Sequence, residues 1–376
     1  MTIKTLLLGT AAAVAVVGGA QAADLSVAEP VEYVKVCDYF GTGYWYIPGT
    51  DNCIKIGGHV TLLSNFEKDS YIYGSHSSSW AFQAEQEVTF DVKSETEYGV
   101  LEGFAELEAD VGYGEGPGVI GSSAGPGGDQ GAVYSDAFYL ALGGFKAGYF
   151  SPAAEQGSTY MDTFGIAGNA FRPINGATKL DTAELAWATG GMGVTVSVSD
   201  PSPILTGSLG YNASDSTPIL SGLLSFTSKK FSAGLSGFYM DTTDGADYGI
   251  TGTATIALTS MDNLWLEGNY GNNLFTGTDG AFGAYGNGHN DGYSLTASWQ
   301  HVLSKTLNFD VDAEYAKGDT GYFSDGQSAW DVGADLVWAP VAGFRAKAAV
   351  LYTSNTYSGG STTDSWVAEL GVRRDW

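Results

Sequence analysis

The chain has 376 residues, of which 42 are acidic and 16 basic, giving a formal net charge of −26. Such a surplus of carboxylates disfavours nucleic acid, whose binding relies on Lys and Arg neutralising phosphates, and favours cations as partners. Gly is abundant (54), Pro is scarce (10) and aromatic residues make up 13% of the chain, which argues against a Pro-rich disordered polymer.

The first element reads as a leader. Lys4 precedes an apolar run from Leu6 to Val17, and Ala20-Gln21-Ala22 supplies a small-x-small cleavage pattern. Residues 1–22 are therefore expected to be a signal peptide, with the mature chain starting at Ala23. Beyond it no window reaches the roughly 20 apolar residues a membrane helix needs. Any membrane crossing would have to be made by strands.

Next comes a segment over 23–53 that holds the only two cysteines, Cys37 and Cys53. In an exported chain these form a disulfide by default, and closing that loop is worth about 3 kcal/mol in the chain-entropy model. No CxxC spacing or nearby His cluster supports a metal or redox pair instead.

From residue 54 onward, runs in which every second residue is apolar follow one another. Candidate strands fall at 54-66, 80-93, 97-113, 131-142, 145-150, 182-189, 193-199 and 218-228, then at 231-240, 247-258, 262-271, 291-301, 304-316, 327-338, 343-353 and 365-376. Their number is about sixteen, and their connections alternate in length. Gly143-Gly144, Gly190-Gly191-Met192, Ser228 to Lys230 and Pro340 to Ala342 are tight, whereas 67-79, 114-130, 151-181, 200-217, 272-290 and 354-364 are long. The fold class implied is all-β, a transmembrane up-and-down antiparallel barrel with short turns at one rim and long loops at the other. A β-sandwich also alternates, but its strands average five or six residues, and several runs here have the length of a tilted bilayer crossing.

Facing follows from the period. The apolar set of the later strands includes Leu295, Trp299, Phe309, Tyr315, Trp330, Val332, Leu336, Trp338, Val350 and Trp366, with no charge among them. A charge on a barrel's lipid face costs about 2 to 4 kcal/mol at the midplane, so this is the expected outer belt. Around Asp136, Phe138 and Leu140 the facing is ambiguous and would suit contact with another subunit. The chain closes on Glu369-Leu370-Gly371-Val372-Arg373-Arg374-Asp375-Trp376, a strand ending in an aromatic residue.

The quoted N-terminal residues carry a resemblance. Val31 to Asp38, followed by Gly43-Tyr44-Trp45-Tyr46-Ile47-Pro48-Gly49-Thr50-Asp51-Asn52-Cys53, resembles the amino-terminal signature of alphaproteobacterial porins of the Brucella and Rhizobium type, and Phe145 to Phe150 and the closing strand agree with it. The resemblance implies a homotrimeric, sixteen-stranded general diffusion porin in the Gram-negative outer membrane, in contact with lipid and lipopolysaccharide. It also implies that the third outer loop, 151-181, folds inward. Glu155, Asp162, Arg172, Lys179 and Asp181 are then the residues expected to line or brace a constriction.

The inward positions divide by sign. Glu85, Glu87, Asp91, Glu102, Glu106, Glu108 and Asp110 lie on the early strands, and Asp310, Asp312, Glu314, Asp331 and Asp335 on the late ones. Lys55, Arg345, Lys347 and Arg373 gather near the closing seam, with Lys146 elsewhere. Opposite signs across a water-filled pore would order water and favour polar solutes, and the excess of acid predicts a preference for cations.

Other chemistry is thin. His59, His76, His289 and His301 have no i, i+4 partner of the zinc type, and no phosphate-binding loop occurs, so neither an enzyme nor a cofactor is expected. Sequence leaves open a serine beside His301 on a neighbouring strand. Asp241-Thr242-Thr243-Asp244-Gly245-Ala246-Asp247 resembles half a calcium loop without its distal Glu. The expected function is passive passage of small hydrophilic solutes and ions; a sugar-specific channel, a surface adhesin or an exported soluble β protein stays open as an alternative.

Overall fold

The computed structural model describes residues 35–69, 78–112, 133–156, 179–201, 217–242, 245–272, 291–320, 323–356 and 360–376. The expected leader lies outside these residues. A 3-10 turn, Asp38–Phe40, and a two-residue strand, β1 (Trp45–Tyr46), precede the long strands. β2 (Cys53–Asp69), β3 (Ser78–Thr96), β4 (Gly99–Gly112), β5 (Tyr134–Leu142) and β6 (Phe145–Phe150) come next. A single helical turn, α1 (Ala153–Gln156), leads to β7 (Leu180–Thr189), β8 (Met192–Ser199), β9 (Ile219–Thr227) and β10 (Phe231–Thr242). The chain then runs through β11 (Gly245–Ala257), β12 (Asp262–Asn272), β13 (Asp291–Ser304) and β14 (Leu307–Thr320). It finishes with β15 (Phe323–Val341), β16 (Phe344–Thr356) and β17 (Thr362–Asp375).

Each strand from β2 to β17 pairs antiparallel with its sequence neighbours, and β17 pairs back onto β2, from Ser365 opposite Asp69 to Asp375 opposite His59. The sheet is a closed sixteen-stranded barrel with no free edge. Closure satisfies the backbone of every strand internally, which an apolar surrounding demands. β1 adds a short pair to β2 below the point where β17 has ended, matching Trp45 with Ile54 and Tyr46 with Cys53.

The outer surface is apolar because alternation sends one side chain of every pair outward. Leu62, Phe82, Leu224, Leu235, Leu295, Val350 and Leu370 are all exposed there. Aromatic rings ring both ends of this belt. Towards the long-loop rim, Phe66 meets Trp80 at 5.1 Å, Tyr293 meets Tyr315 at 6.1 Å, and Trp330, Tyr352 and Trp366 form a ladder with centroid spacings of 5.0 and 4.8 Å. Towards the short-turn rim, Phe226 meets Phe231 at 6.3 Å, Trp299 meets Phe309 at 6.3 Å and Trp338 meets Phe344 at 6.5 Å. These are the aromatic girdles of a membrane barrel.

Two features differ from the sequence reading. Asp136 sits at a bulge where the β4–β5 register shifts between Glu106 and Leu107, so one extra residue turns Asp136 inward while Phe138 and Leu140 stay exposed outside. The facing is thus defined. Asp241 and Asp247 belong to a tight hairpin in which Thr242 pairs with Gly245 and Met240 with Asp247. That register leaves no twelve-residue calcium loop.

Candidate functional site

The inner wall carries most of its charge on one continuous arc. Seven neighbouring strands, β14 to β17 and then β2 to β4, hold the acidic and basic groups named from sequence, apart from Lys146 and the residues of the third connection. The facing arc is built mainly of hydroxyls and amides, with Glu184 on β7, Lys146 on β6 and Glu267 on β12 among them. Ser197, Ser199, Ser221, Ser236, Thr251, Thr253, Asn269, Ser294 and Ser298 are all buried there. They bond to one another: Thr251 donates to Asn269 Oδ1 at 2.6 Å, and Asn269 Nδ2 donates to Ser294 Oγ at 3.0 Å.

Arg345, Lys347 and Arg373 on the charged arc have carboxylates beside them along the wall. Arg345 and Arg373 stand directly opposite each other on β16 and β17, and both reach Asp375, at 3.2 and 2.8 Å. Lys347 is buried with its Nζ 3.7 Å from Asp335. Lys55 points inward near the short-turn rim, 6.0 Å from the Tyr44 ring. The transverse arrangement of opposite signs expected from sequence is therefore replaced by pairing along the wall, because the basic strands lie between the two acidic groups of strands.

Asp310 and Asp312 face inward on β14, yet only 5% and 7% of their surface is exposed. Asp310 stands opposite Asp335, and Glu314 opposite Asp331, so the carboxylates of β14 and β15 pack in register as a ladder. Glu102 accepts the Tyr139 hydroxyl at 3.0 Å, and its other oxygen lies 3.7 Å from Lys93. Lys146 is 3.1 Å from buried Glu184 and lies over the Phe150 ring at 4.0 Å.

The third long connection, between β6 and β7, is held to the inner wall at both described ends. Pro152 and Ala153 are buried, the Ala153 amide donates to Ser197 Oγ at 3.0 Å, and Ser236 Oγ donates to the Ala154 carbonyl at 2.9 Å. These bonds anchor its start on β8 and β10, against the hydroxyl arc. At its other end Lys179 lies 3.0 Å from Glu106 on β4 and pairs with Asp136 on β5. Glu155 belongs to α1, while Asp162 and Arg172 lie outside the described residues. Asp181 departs from expectation. It shares the outward parity of Leu185 and Trp187, both exposed, and so does not face the lumen.

Sequence reasoning missed the mouth. Cys37 and Cys53 are joined in a disulfide, and both are buried with Tyr44 in a small cluster that Phe40 and Tyr46 pack against. Tyr44 donates its hydroxyl to inward-facing Asp91, and Tyr39 donates to Glu95 at 2.9 Å, so the stapled segment rides on the inner side of β3 at the short-turn rim. Burial and the Asp91 carboxylate both push the Tyr44 phenol above its ordinary pKa, keeping it a neutral donor. His301 faces outward beside Trp299 and bonds Asp262 at 2.8 Å. His59 faces inward and bonds Glu85. An i, i+4 spacing does not reveal it, because in a sheet the ligand-bearing neighbour lies across the strand pair.

A closed sixteen-stranded barrel with an apolar, girdled exterior, a polar interior and a third connection whose described ends are tied to the inner wall is an outer-membrane channel. The chain belongs to the porin family: the model of the porin subfamily matches residues 24–371. Curated relatives include the putative outer membrane protein y4fJ of Sinorhizobium fredii, 39% identical over 164 residues, covering 40% of this chain and 43% of that protein. Porin Omp2b of Brucella canis is 41% identical over 151 residues, covering 39% of this chain and 41% of that protein. The matched stretch thus spans about two fifths of the length of these relatives. Among solved structures, the outer membrane channel DcaP of Acinetobacter baumannii superposes with a TM-score of 0.66 at 10% identity, covering 88% of this chain and 99% of that one. An anion-selective porin from Comamonas acidovorans gives 0.61 at 12% identity, covering 86% and 100%. At such identities the likeness shows the fold, not the ion preference. The protein is located in the outer membrane, and its short-turn rim is the periplasmic one.

Proposed function

We propose that the protein is a general diffusion porin, a water-filled channel through which small hydrophilic solutes and ions cross the outer membrane passively, with cations preferred. The homotrimer is part of this reading, as the porin resemblance implies. The observation that carries it is the division of the inner wall into an acid-rich arc and a hydroxyl arc. Carboxylates outnumber the basic groups among them, leaving a negative wall whose field concentrates cations without binding any one solute. Neutralising Asp310, Asp312 and Glu314 together (D310N, D312N, E314Q) should shift the reversal potential across a salt gradient in planar bilayers towards zero selectivity, with trimer migration unchanged. Chloride carrying most of the wild-type current would overturn the cation preference.

One observation favours a substrate-specific channel as the second reading. Phe104 and Tyr139 stack at 4.9 Å on the inner wall, and Phe150 meets Tyr139 at 5.7 Å, an aromatic surface of the kind sugars pack against. Liposome swelling separates the two readings. Rates that fall smoothly with sugar size support general diffusion, and saturation by one sugar supports the alternative.

A further inference from the structure

One group on the inner wall combines an imidazole with two carboxylates on adjoining strands. His59 on β2 stands directly opposite Glu87 on β3, and Glu85 lies two residues further along the same face, opposite Thr61. His59 is 3% exposed; its Nε2 bonds Glu85, and its Nδ1 lies 3.4 Å from Glu87. One ligand atom from each of the three residues falls within 4.8 Å of the others. A second, independent feature points into the same place. The Thr61 hydroxyl, on a residue 3% exposed and next to Glu85 across the strand pair, has no hydrogen-bond partner. A buried hydroxyl left that way costs free energy unless something fills its lone pairs.

We propose that His59, Glu85 and Glu87 form a binding site for a divalent transition-metal cation, Zn²⁺ in chemical type, on the periplasmic part of the channel wall. The donor set decides the class of ion. Ca²⁺ and Mg²⁺ take oxygen ligands, whereas an imidazole nitrogen beside carboxylate oxygens suits Zn²⁺ and its neighbours. His59 Nε2 and Glu85 supply the direct ligands, and the buried Thr61 hydroxyl opposite Glu85 is the nearest unpartnered oxygen for a further bond. Glu87 beside Nδ1 accepts the ring's other N–H, the carboxylate–histidine pairing that orients metal-bound imidazoles. The local field permits a cation. Glu108 on β4 stands opposite Glu87 and adds negative charge, while the nearest cation on the adjoining strand, Arg373, is engaged by Asp375 at 2.8 Å. An occupied site would place positive charge on a wall that is otherwise acidic, so external metal would tune ion flow without any moving part.

The full-length porin, extracted in detergent and stripped with EDTA, is titrated with ZnCl₂ by calorimetry in the presence of excess Mg²⁺, which saturates oxygen-only sites. Saturable uptake of a single Zn²⁺ per chain is expected, weakened by at least about 10-fold in Glu87→Gln and lost in His59→Gln. Co²⁺ added to the wild-type protein should give a visible spectrum with imidazole ligation, a reading that stands even if His59→Gln fails to assemble. Zn²⁺ should also lower single-channel cation selectivity in wild type and leave Glu85→Gln unaffected. Absence of saturable Zn²⁺ uptake, or uptake equal in wild type and variants, would overturn the proposal and leave His59 as an imidazole clamped between two carboxylates.

Discussion

Gly58 shows how much one residue can be asked to do in a closed sheet. Its φ is +150°, a β-carbon there would collide with the Glu87 carbonyl oxygen and lie 3.1 Å from the Trp376 ring, and its own carbonyl accepts the Trp376 amide at 3.1 Å. The two ends of the barrel wall meet over a position that has no room for a side chain. Gly58→Ala is expected to cost about 1–3 kcal/mol, the range for backbone held in a region that only glycine occupies easily. The test is the temperature at which the folded band converts to the unfolded one in gel migration; an unchanged temperature would sink the argument. At this scale sequence told only part of the story. Lys55, Lys146, Arg345, Lys347 and Arg373 take the inward parity read from alternation. Asp136 does not follow from it, since a bulge resets its parity, whereas Asp181 falls on the outward parity of Leu185 and Trp187 once the strand is taken back to Leu180. A bulge leaves no mark in the hydrophobic pattern.

Elements were far more legible than residues. All sixteen alternating runs correspond to strands β2 to β17, because a period of two sustained over a bilayer crossing is set by the membrane on one side and water on the other. The strands overrun the alternating stretches, as β15 does at Phe323–Val341 against the expected 327-338, since pairing continues past the belt where nothing demands alternation. The third connection is the element whose placement depends on contacts no local pattern encodes. Its start leans on hydroxyls of β8 and β10, while Lys179 ties its end back to Glu106 and Asp136. Replacing Lys179 with Met keeps the stem and removes the charge. Its two carboxylate partners would then be left without their cation, and single-channel conductance is expected to rise, with Lys179→Arg close to wild type. Equal conductance in the Met variant would mean that the connection is held elsewhere.

For the whole molecule, the arrangement of charge is not what separate strands suggest. Each acidic or basic strand was legible alone, but which strands become neighbours is fixed by closure, and closure puts β16, β17 and β2 between the acidic pairs β14–β15 and β3–β4. The outcome is a wall dense in both signs of charge facing one built mainly of hydroxyls and amides. Closure also orders events in time. His59 and Asp375, partners across the seam, sit at opposite ends of the chain, whereas Cys37 and Cys53 are 16 residues apart and can join as soon as both are exported. The first long strand must wait with one edge unpaired until the last one has been delivered, and pairings so distant in sequence are slow to form. Removing β17 should therefore abolish heat-modifiable protein in the outer membrane altogether, and recovery of a stable fifteen-stranded pore would contradict this. The seam acts as a completeness check: an interrupted chain leaves two unpaired strand edges, and only a finished one can hide them.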